Sequence, residues 1–193
     1  VFDTVASISP SSGVYTETVL TCSSVASDSD DGSLTPTYEW SVGSTVIGSA
    51  ETYTVSASDT NVGDTITCTA TVTDSASESE TSTASVTVEN TAPVLSELSI
   101  SPSTEAYNDD TLTCSATVTD PDEDLSVNYE WSVGSTVLMS GASIDLSFYS
   151  INPIDDVVCT ASVTDNEGAS DSLTESKTIG NRAPVLENES IDN

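Results

Sequence analysis

Carboxylates are the most abundant side chains in this chain with a capacity for chemistry. The 193 residues include 32 Asp and Glu against only Lys177 and Arg182, with no His, for a formal net charge of −30. Such a field repels phosphate backbones and anionic lipid, so we expect neither nucleic-acid nor membrane-surface binding. No stretch approaches the ~20 apolar residues of a membrane span, so we expect no direct membrane insertion. The field attracts cations. Either the acidity keeps the protein soluble in a salty medium, or some carboxylates form sites for divalent ions.

Catalysis is difficult to build from these residues. A His base is missing from the sequence, and the carboxylates cluster in polar segments. No apolar surroundings are evident that would raise the pKa of one carboxyl group above that of another. We therefore expect a protein that is not an enzyme and that uses no cofactor other than, at most, calcium.

Four cysteines are the other chemically distinctive residues. The sequence contains no Cys-x-x-Cys, and without His it cannot complete the usual zinc patterns. Disulfides fit the cysteines better, and disulfides persist in oxidising compartments. This predicts an extracellular protein, secreted or held at a cell surface.

An internal repeat, offset by about 91 residues, must position these groups. The first copy contains Leu20-Thr-Cys-Ser23, Tyr38-Glu-Trp-Ser-Val-Gly-Ser-Thr-Val46 and Cys68-Thr-Ala70; the second contains Leu112-Thr-Cys-Ser115, Tyr129-Glu-Trp-Ser-Val-Gly-Ser-Thr-Val137 and Cys159-Thr-Ala161. A repeat of this length is large enough to close its own core. We predict one domain over residues 1–90 and a second over 91–181.

The last residues, 182–193, are predicted to be a linker and the opening strand of a third repeat. Pro184–Ile191 repeats the register of Pro93–Ile100. A lone strand must find a partner sheet, either in a following repeat or by strand addition to another subunit. The strand predicted at Val5–Ile8 already fills the first position of its own domain, which favours a repeating array.

Alternation of apolar and polar residues predicts an all-β protein. Apolar residues recur at every second position, the period of a half-buried strand, and polar turn residues separate the runs. In the first repeat the predicted strands are Val5–Ile8, Val19–Val25, Thr37–Val42, Thr45–Ile47, Thr52–Val55, a strand around Cys68, and Thr83–Val88, with acidic loops at Asp28–Gly32 and Asp74–Glu80.

The order of Cys, Trp and Cys in each repeat resembles the immunoglobulin-like sandwich. In that family the cysteines of strands B and F bridge two sheets, and a Trp of strand C packs on the bridge. The resemblance implies the pairs Cys22–Cys68 and Cys114–Cys159, covered by Trp40 and Trp131 as core residues. The tyrosine corner of the family is missing, since Ile66 and Val157 stand at its position.

The linkers make the resemblance more specific. Asn90-Thr-Ala-Pro93 and Asn181-Arg-Ala-Pro184, with the shared strand C sequence, look like the polycystic-kidney-disease (PKD) type and related bacterial or archaeal repeats of large secreted surface proteins. The expected fold is two tandem immunoglobulin-like β-sandwiches of about seven strands each, plus the first strand of a third.

The same resemblance implies a calcium site at the domain junction. The loops before strand C and after strand F would share one end with the linker and face the preceding domain, as in cadherin-type arrays. Calcium takes six to eight oxygen ligands from separated segments. Alternatively, these aspartates cap their own turns and remain solvated. The predicted ligands are Asp120, Asp122, Asp124, Asp165, Asp59, Asp64, Glu89 and Asn90, with Asp28, Asp30 and Asp74 as the counterpart in repeat one.

The predicted function is structural. We expect a module of a repetitive extracellular filament, stalk or adhesin, acting as a semi-rigid rod or adhesive fibre, whose partners are neighbouring repeats or subunits of the same protein, glycans or cell surfaces. Asn188 lies in a glycosylation sequon. The alternative is an accessory carbohydrate-binding or spacer module of a secreted hydrolase. That reading needs an exposed aromatic platform, for which the candidates are Tyr15, Tyr53, Tyr107, Phe148 and Tyr149.

Overall fold

The computed structural model describes residues 1–185, and these form two compact units. The first comprises Val1–Thr91 together with Asp120–Glu123, and the second comprises Ala92–Thr119 and the chain from Asp124 on. Among the described residues no helix is long and apolar enough to cross a membrane. Asn188 and most of the strand predicted for a third repeat lie outside the described residues.

The first unit is a sandwich of two antiparallel sheets. In one sheet β2 pairs with β1, β3 and β6; the other has the order β5-β4-β7-β8. In the nomenclature of the immunoglobulin fold, strands A, B and E face strands C′, C, F and G. The strands are β1 Phe2–Ser9, β2 Val19–Asp28, β3 Gly32–Leu34, β4 Thr37–Val42, β5 Thr45–Gly48, β6 Thr52–Thr54, β7 Thr65–Thr73 and β8 Ser79–Thr87.

The second unit repeats this arrangement with seven strands. Its sheets have the orders β13-β10-β9 and β12-β11-β14-β15, and all their pairs are antiparallel. The predicted all-β fold with immunoglobulin-like sandwiches is thus confirmed. The strands are β9 Val94–Ser101, β10 Thr111–Thr119, β11 Asn128–Val133, β12 Thr136–Ser140, β13 Ser143–Asp145, β14 Asp156–Thr164 and β15 Ser170–Thr178; a short 3-10 helix, Leu146–Phe148, follows β13.

The acidic loop predicted at Asp28–Gly32 is the turn of a hairpin, whose second strand, β3, was not predicted. Strand β2 continues to Asp28, which pairs with Gly32 at the start of β3. Gly32 has a φ of 76°, a left-handed conformation that glycine adopts without a steric penalty. In the second repeat Pro121 lies within the equivalent turn and has no N–H to donate, and there β10 ends at Thr119.

A disulfide and a tryptophan form the centre of each core. Cys22 is bonded to Cys68 and Cys114 to Cys159, the pairs that the resemblance implies. Trp40 lies opposite Cys68 across β4 and β7, and both Trp40 and Trp131 are 0% exposed. The indole Nε1 of Trp40 donates to the carbonyl of Ala50 at 2.8 Å, and that of Trp131 to Gly141 at 2.9 Å. Each buried indole therefore has its hydrogen bond satisfied.

A tyrosine of strand C links the two sheets of each sandwich. The backbone N–H of Ser24 in β2 donates to the hydroxyl of Tyr38 at 3.2 Å, and that of Ala116 in β10 donates to Tyr129 at 2.9 Å. Both amides lie where the pairing with the first strand shifts register. The tyrosine hydroxyl thus satisfies an amide at an interruption of the ladder. This cross-sheet bond provides a Tyr–backbone contact in a fold that lacks the family's tyrosine corner.

The two cores fill one equivalent space with different pairs of residues. In the first unit Gly48 lies opposite Trp40, and Tyr53 packs on Trp40 with ring centroids 5.9 Å apart. In the second unit Met139 lies opposite Trp131, and Ile144 replaces Tyr53 beside the strand B leucine. A Cβ at position 48 would lie 3.3 Å from Cδ2 of Tyr53 and 3.4 Å from Cδ1 of Trp40. The absence of a side chain at Gly48 therefore makes room for the tyrosine.

This exchange predicts a strong coupling between positions 48 and 53. Gly48→Met alone should destabilise the first sandwich by about 1–3 kcal/mol, because the new side chain overpacks the space held by Tyr53. Tyr53→Ile alone should also destabilise, by about 2 kcal/mol, because it leaves a cavity. The double variant should lose less than the sum of the two by about 1 kcal/mol or more in urea unfolding. If the losses of the two single variants simply added in the double variant, the proposed complementarity of size between positions 48 and 53 would be contradicted.

Candidate functional site

Several of the predicted calcium ligands use one carboxylate oxygen to cap a turn. Asp74 accepts from the backbone N–H of Glu78 at 2.8 Å, and Asp165 accepts from Ala169 at 2.6 Å in the equivalent turn between β14 and β15. Asp64 accepts from the N–H of Asn61 at 2.9 Å. Such contacts are typical of aspartates in turns. They correspond to the alternative in which the aspartates support the turns themselves.

The counterpart set of the first repeat lies around the β2–β3 hairpin. Asp28 Oδ1 accepts from the N–H groups of Asp30 at 2.8 Å and Asp31 at 3.2 Å. These hydrogen bonds hold the pKa of Asp28 below its ordinary value. Asp28 and Asp74 both line an open cavity of about 220 Å³ with Glu78 and Glu80. Asp30 itself is exposed.

The segment Asp120–Glu123 belongs to the first compact unit, although the repeat pattern assigns it to the second domain. Asp122 Oδ2 accepts from the N–H of Thr91 at 2.6 Å, and its Oδ1 accepts a short hydrogen bond from the Thr16 hydroxyl. Asp120 Oδ1 accepts from the N–H of Asp122 at 2.8 Å and shapes the turn. Thr16 and Thr91 thus form a receptor for one carboxylate, which we name the threonine receptor. Neither residue was predicted, because hydroxyls in a Thr-rich chain carry no distinctive spacing.

Two oxygen atoms beside the threonine receptor are buried without a hydrogen-bond partner among the described residues. They are Oδ2 of Asp120 and Oγ1 of Thr91. Leaving a buried polar atom unsatisfied costs about 1–3 kcal/mol, more when the group is charged. A hard cation prefers ligands of this kind, namely carboxylate and neutral oxygens.

The other predicted ligands are distributed over both units. Glu89 Oε1 accepts from the N–H of Gly13 at 2.8 Å, and Asp59 Oδ2 accepts from the Tyr53 hydroxyl at 3.2 Å. Asp124 and Asp165 belong to the second unit. Within residues 1–185 no group of three or more Asp, Glu, Cys or His side chains is arranged to hold a metal ion. A calcium site therefore stays a prediction, and it would need hydroxyl or amide oxygens among its ligands.

The only arginine of the chain lies after β15 in the second unit. The Arg182 guanidinium lies 2.6 Å from Oδ1 of Asp109 and 4.0 Å from the centroid of the Tyr107 ring. The hydrogen bond from Arg182 holds the pKa of Asp109 below its ordinary value. Tyr107 in turn donates to Glu105 at 3.0 Å. This group contains one guanidinium, one aromatic ring and two carboxylates.

The proposed aromatic platform is only partly available. Tyr53 is 9% exposed and belongs to the first core, so its prediction as a surface aromatic was wrong. The space left by Gly48 admits it to the core. Tyr107 is half-buried beside Arg182, whereas Phe148 is 81% exposed.

Comparisons with known proteins give only distant structural similarity. No family model and no curated protein matches the sequence. Similar solved structures include the three N-terminal domains of the outer capsid protein Hoc of bacteriophage RB49 (14% identity, TM-score 0.35, covering 93% of this chain and 59% of that chain). Another is the fibronectin(III)-like modules of Clostridium thermocellum CbhA (17% identity, TM-score 0.36, covering 94% of this chain and 100% of that chain). A third is a Ca²⁺-stabilised adhesin with which an Antarctic bacterium binds ice (16% identity, TM-score 0.31, covering 91% of this chain and 48% of that chain).

This chain spans less than two thirds of the capsid-protein and adhesin chains. At such low identities and TM-scores, the similarities carry no argument about function.

The Tyr53–Asp59 contact predicts an alkaline loss of stability. Burial, reinforced by the Asp59 carboxylate, raises the pKa of Tyr53 from 10.0 to about 12. Because the folded state favours the protonated phenol, its contribution is fully present below about pH 10 and is lost as the pH rises through about 12. Tyr53→Phe should flatten this part of the profile in urea unfolding of the first sandwich. An unchanged slope in the variant would show that Tyr53 does not titrate with unfolding.

Proposed function

We propose that the chain is a structural module of a repetitive extracellular protein such as a filament, stalk or adhesin, of the PKD-like type. The observation that carries this proposal is the duplication of a buried framework. Disulfide, Trp with its carbonyl partner, and Tyr with its strand B amide recur at equivalent positions in both units. Tandem copies of one scaffold joined by a short Pro-containing linker suit a semi-rigid spacer.

The outer surface of the framework supports the extracellular setting. Outward positions along β7 and β8 carry Thr or Ser, and the paired residues Thr67 and Ser85 lie 2.9 Å apart through their hydroxyls. Disulfides at the centre of both cores suit an oxidising compartment. High negative charge keeps neighbouring molecules apart and is screened at high ionic strength. Partners under this proposal are neighbouring repeats or subunits of the same protein, together with glycans or cell surfaces.

The competing function is glycan binding by an accessory module of a hydrolase. It is favoured by one observation: Phe148 is exposed, and Tyr149, which follows it in sequence, lines an open cavity of about 300 Å³ with Leu138 and Val133. Aromatic rings of this kind stack on sugars.

A glycan array separates the two functions. We expect no glycan to bind this chain above the level of its Phe148→Ala variant, because Phe148 is the one exposed ring described in the second unit and a single ring offers too little platform. Immunogold labelling of cells that produce the protein should place the chain in extended surface structures. Glycan binding that is lost in Phe148→Ala would support the accessory module and contradict the structural proposal.

We also propose that calcium binds beside the threonine receptor. Asp120 Oδ2 and Thr91 Oγ1 are the supporting atoms, and Asn90, adjacent in sequence to Thr91, is a predicted ligand. A divalent cation would satisfy both buried oxygens and neutralise part of the local negative charge. Asp122 acts as the hydrogen-bond acceptor for Thr16 and Thr91.

Calcium should therefore raise the melting temperature of the first unit. At a calcium concentration about 100 times the Kd, binding to the native state adds about 2.7 kcal/mol. Asp120→Asn should remove the calcium-dependent increase measured by calorimetry, whereas Asp155→Asn, which alters a turn cap in the second unit, should retain it. Identical melting in calcium and in chelator would contradict the proposed site.

A further inference from the structure

The threonine receptor has a counterpart at the equivalent positions of the second unit. Thr16 follows Tyr15 in the loop between β1 and β2, and Asn108 follows Tyr107 in the loop between β9 and β10. Thr91 follows Asn90 after β8, and Arg182 follows Asn181 after β15. Arg182 therefore supplies a backbone N–H where Thr91 supplies one. Asn108 supplies a side-chain amide donor where Thr16 supplies its hydroxyl.

The second receptor, unlike the first, includes a basic side chain, which lies among the carboxylates of Asp109 and Glu105. Its Arg182 is one of only two basic residues in a chain of net charge −30. The guanidinium of Arg182 lies 2.6 Å from Asp109 and 4.0 Å from the centroid of the Tyr107 ring. These two residues flank Asn108 in the sequence. Asn108 and Arg182 are exposed, whereas Thr16, which is bonded to Asp122, is half-buried. The backbone N–H of Arg182 and the side-chain amide of Asn108 are donors of the kind from which a carboxylate accepts.

Asp30 is the residue of the first repeat that corresponds to Asp122 in the second. Asp122 is presented by a turn in which Asp120 Oδ1 accepts its N–H at 2.8 Å. Asp30 is presented by an equivalent turn in which Asp28 Oδ1 accepts its N–H, also at 2.8 Å. Asp122 is half-buried in its receptor and Asp30 is exposed. The hairpin at Asp28–Gly32 thus presents an exposed carboxylate at the position equivalent to Asp122, after a turn capped by the same kind of hydrogen bond.

We propose that Asn108 and Arg182 form a second carboxylate receptor that binds Asp30 of a second copy of this chain placed next in an array. This inference rests on the proposed function as a repeated module. The Arg182 N–H and the Asn108 side-chain amide donate to the carboxylate of Asp30. The receptor selects a partner whose strand B is followed by an Asp-x-Asp turn.

A tandem of two copies tests this directly. Joining Ala183 of the first copy to Val1 of the second keeps the repeat register, because Val1 occupies the position of Pro184, and every described strand ends at or before Thr178. Labelling with ¹⁵N-arginine gives one backbone amide signal per copy. The Arg182 amide of the second copy, which has no following repeat, is an internal control, and Arg182→Lys in one copy assigns the signals.

We expect the first-copy Arg182 amide to exchange with solvent at least tenfold more slowly than the second-copy amide. Asp30→Ala in the second copy should abolish this difference. Glu39→Ala in the second copy, which removes an exposed acid from β4, should leave it intact. Equal exchange rates in the parent tandem, or protection that persists in Asp30→Ala, would overturn the inference. Neither result would affect the glycan-array and labelling tests of the proposed function.

Discussion

Each sandwich depends on a disulfide that joins its two sheets beneath a buried tryptophan. Aromatic residues make up 5% of the sequence, so few large side chains are available to fill two cores. The disulfides close loops with separations of 46 and 45 residues, which corresponds to about 4 kcal/mol each in the chain-entropy account. This is a large share of the stability of a domain of about 90 residues. Strands, turns and surface chemistry are arranged around this cross-link.

Polar groups inside the sandwiches add specificity to this cross-link. Tyr38 and Tyr129 accept from strand B amides where the ladder shifts, and the Trp indoles donate to carbonyls across the C′–E region. Without these hydrogen bonds, each amide or indole N–H would be buried without an acceptor, which costs free energy. The residues around them can vary, as Gly48 and Tyr53 show against Met139 and Ile144, provided that the total volume is kept.

Much of the fold could be predicted because it is encoded in local patterns. The spacing of Cys22, Trp40 and Cys68 identified the sandwich, and period-two alternation located most strands. The hairpin at β3 was missed because its formation depends on Gly32 and the extension of β2, whereas the acidic composition indicated a loop. Tyr53 was misplaced because its burial depends on an empty position at Gly48, and such size complementarity across strands leaves no signal in a single segment.

The candidate site was less predictable for the same reason. Asp120 and Asp122 were recognised as acidic loop residues, but their grouping with Thr16 and Thr91 joins segments distant in sequence. Asp64, Asp74 and Asp165 cap turns. An aspartate-rich composition alone therefore does not distinguish an aspartate that stabilises a loop from one that binds a metal ion. Contacts to specific donors make that distinction, as in the threonine receptor.

The dependence of each sandwich on its own disulfide can be measured by replacing one pair. In the Cys22→Ala/Cys68→Ala variant, calorimetry and urea unfolding should show the first sandwich less stable by about 4 kcal/mol, reduced further by the lost packing under Trp40. The transition of the second sandwich, which retains Cys114–Cys159, should keep its midpoint. A first sandwich that unfolds with its original free energy in this variant would contradict the account.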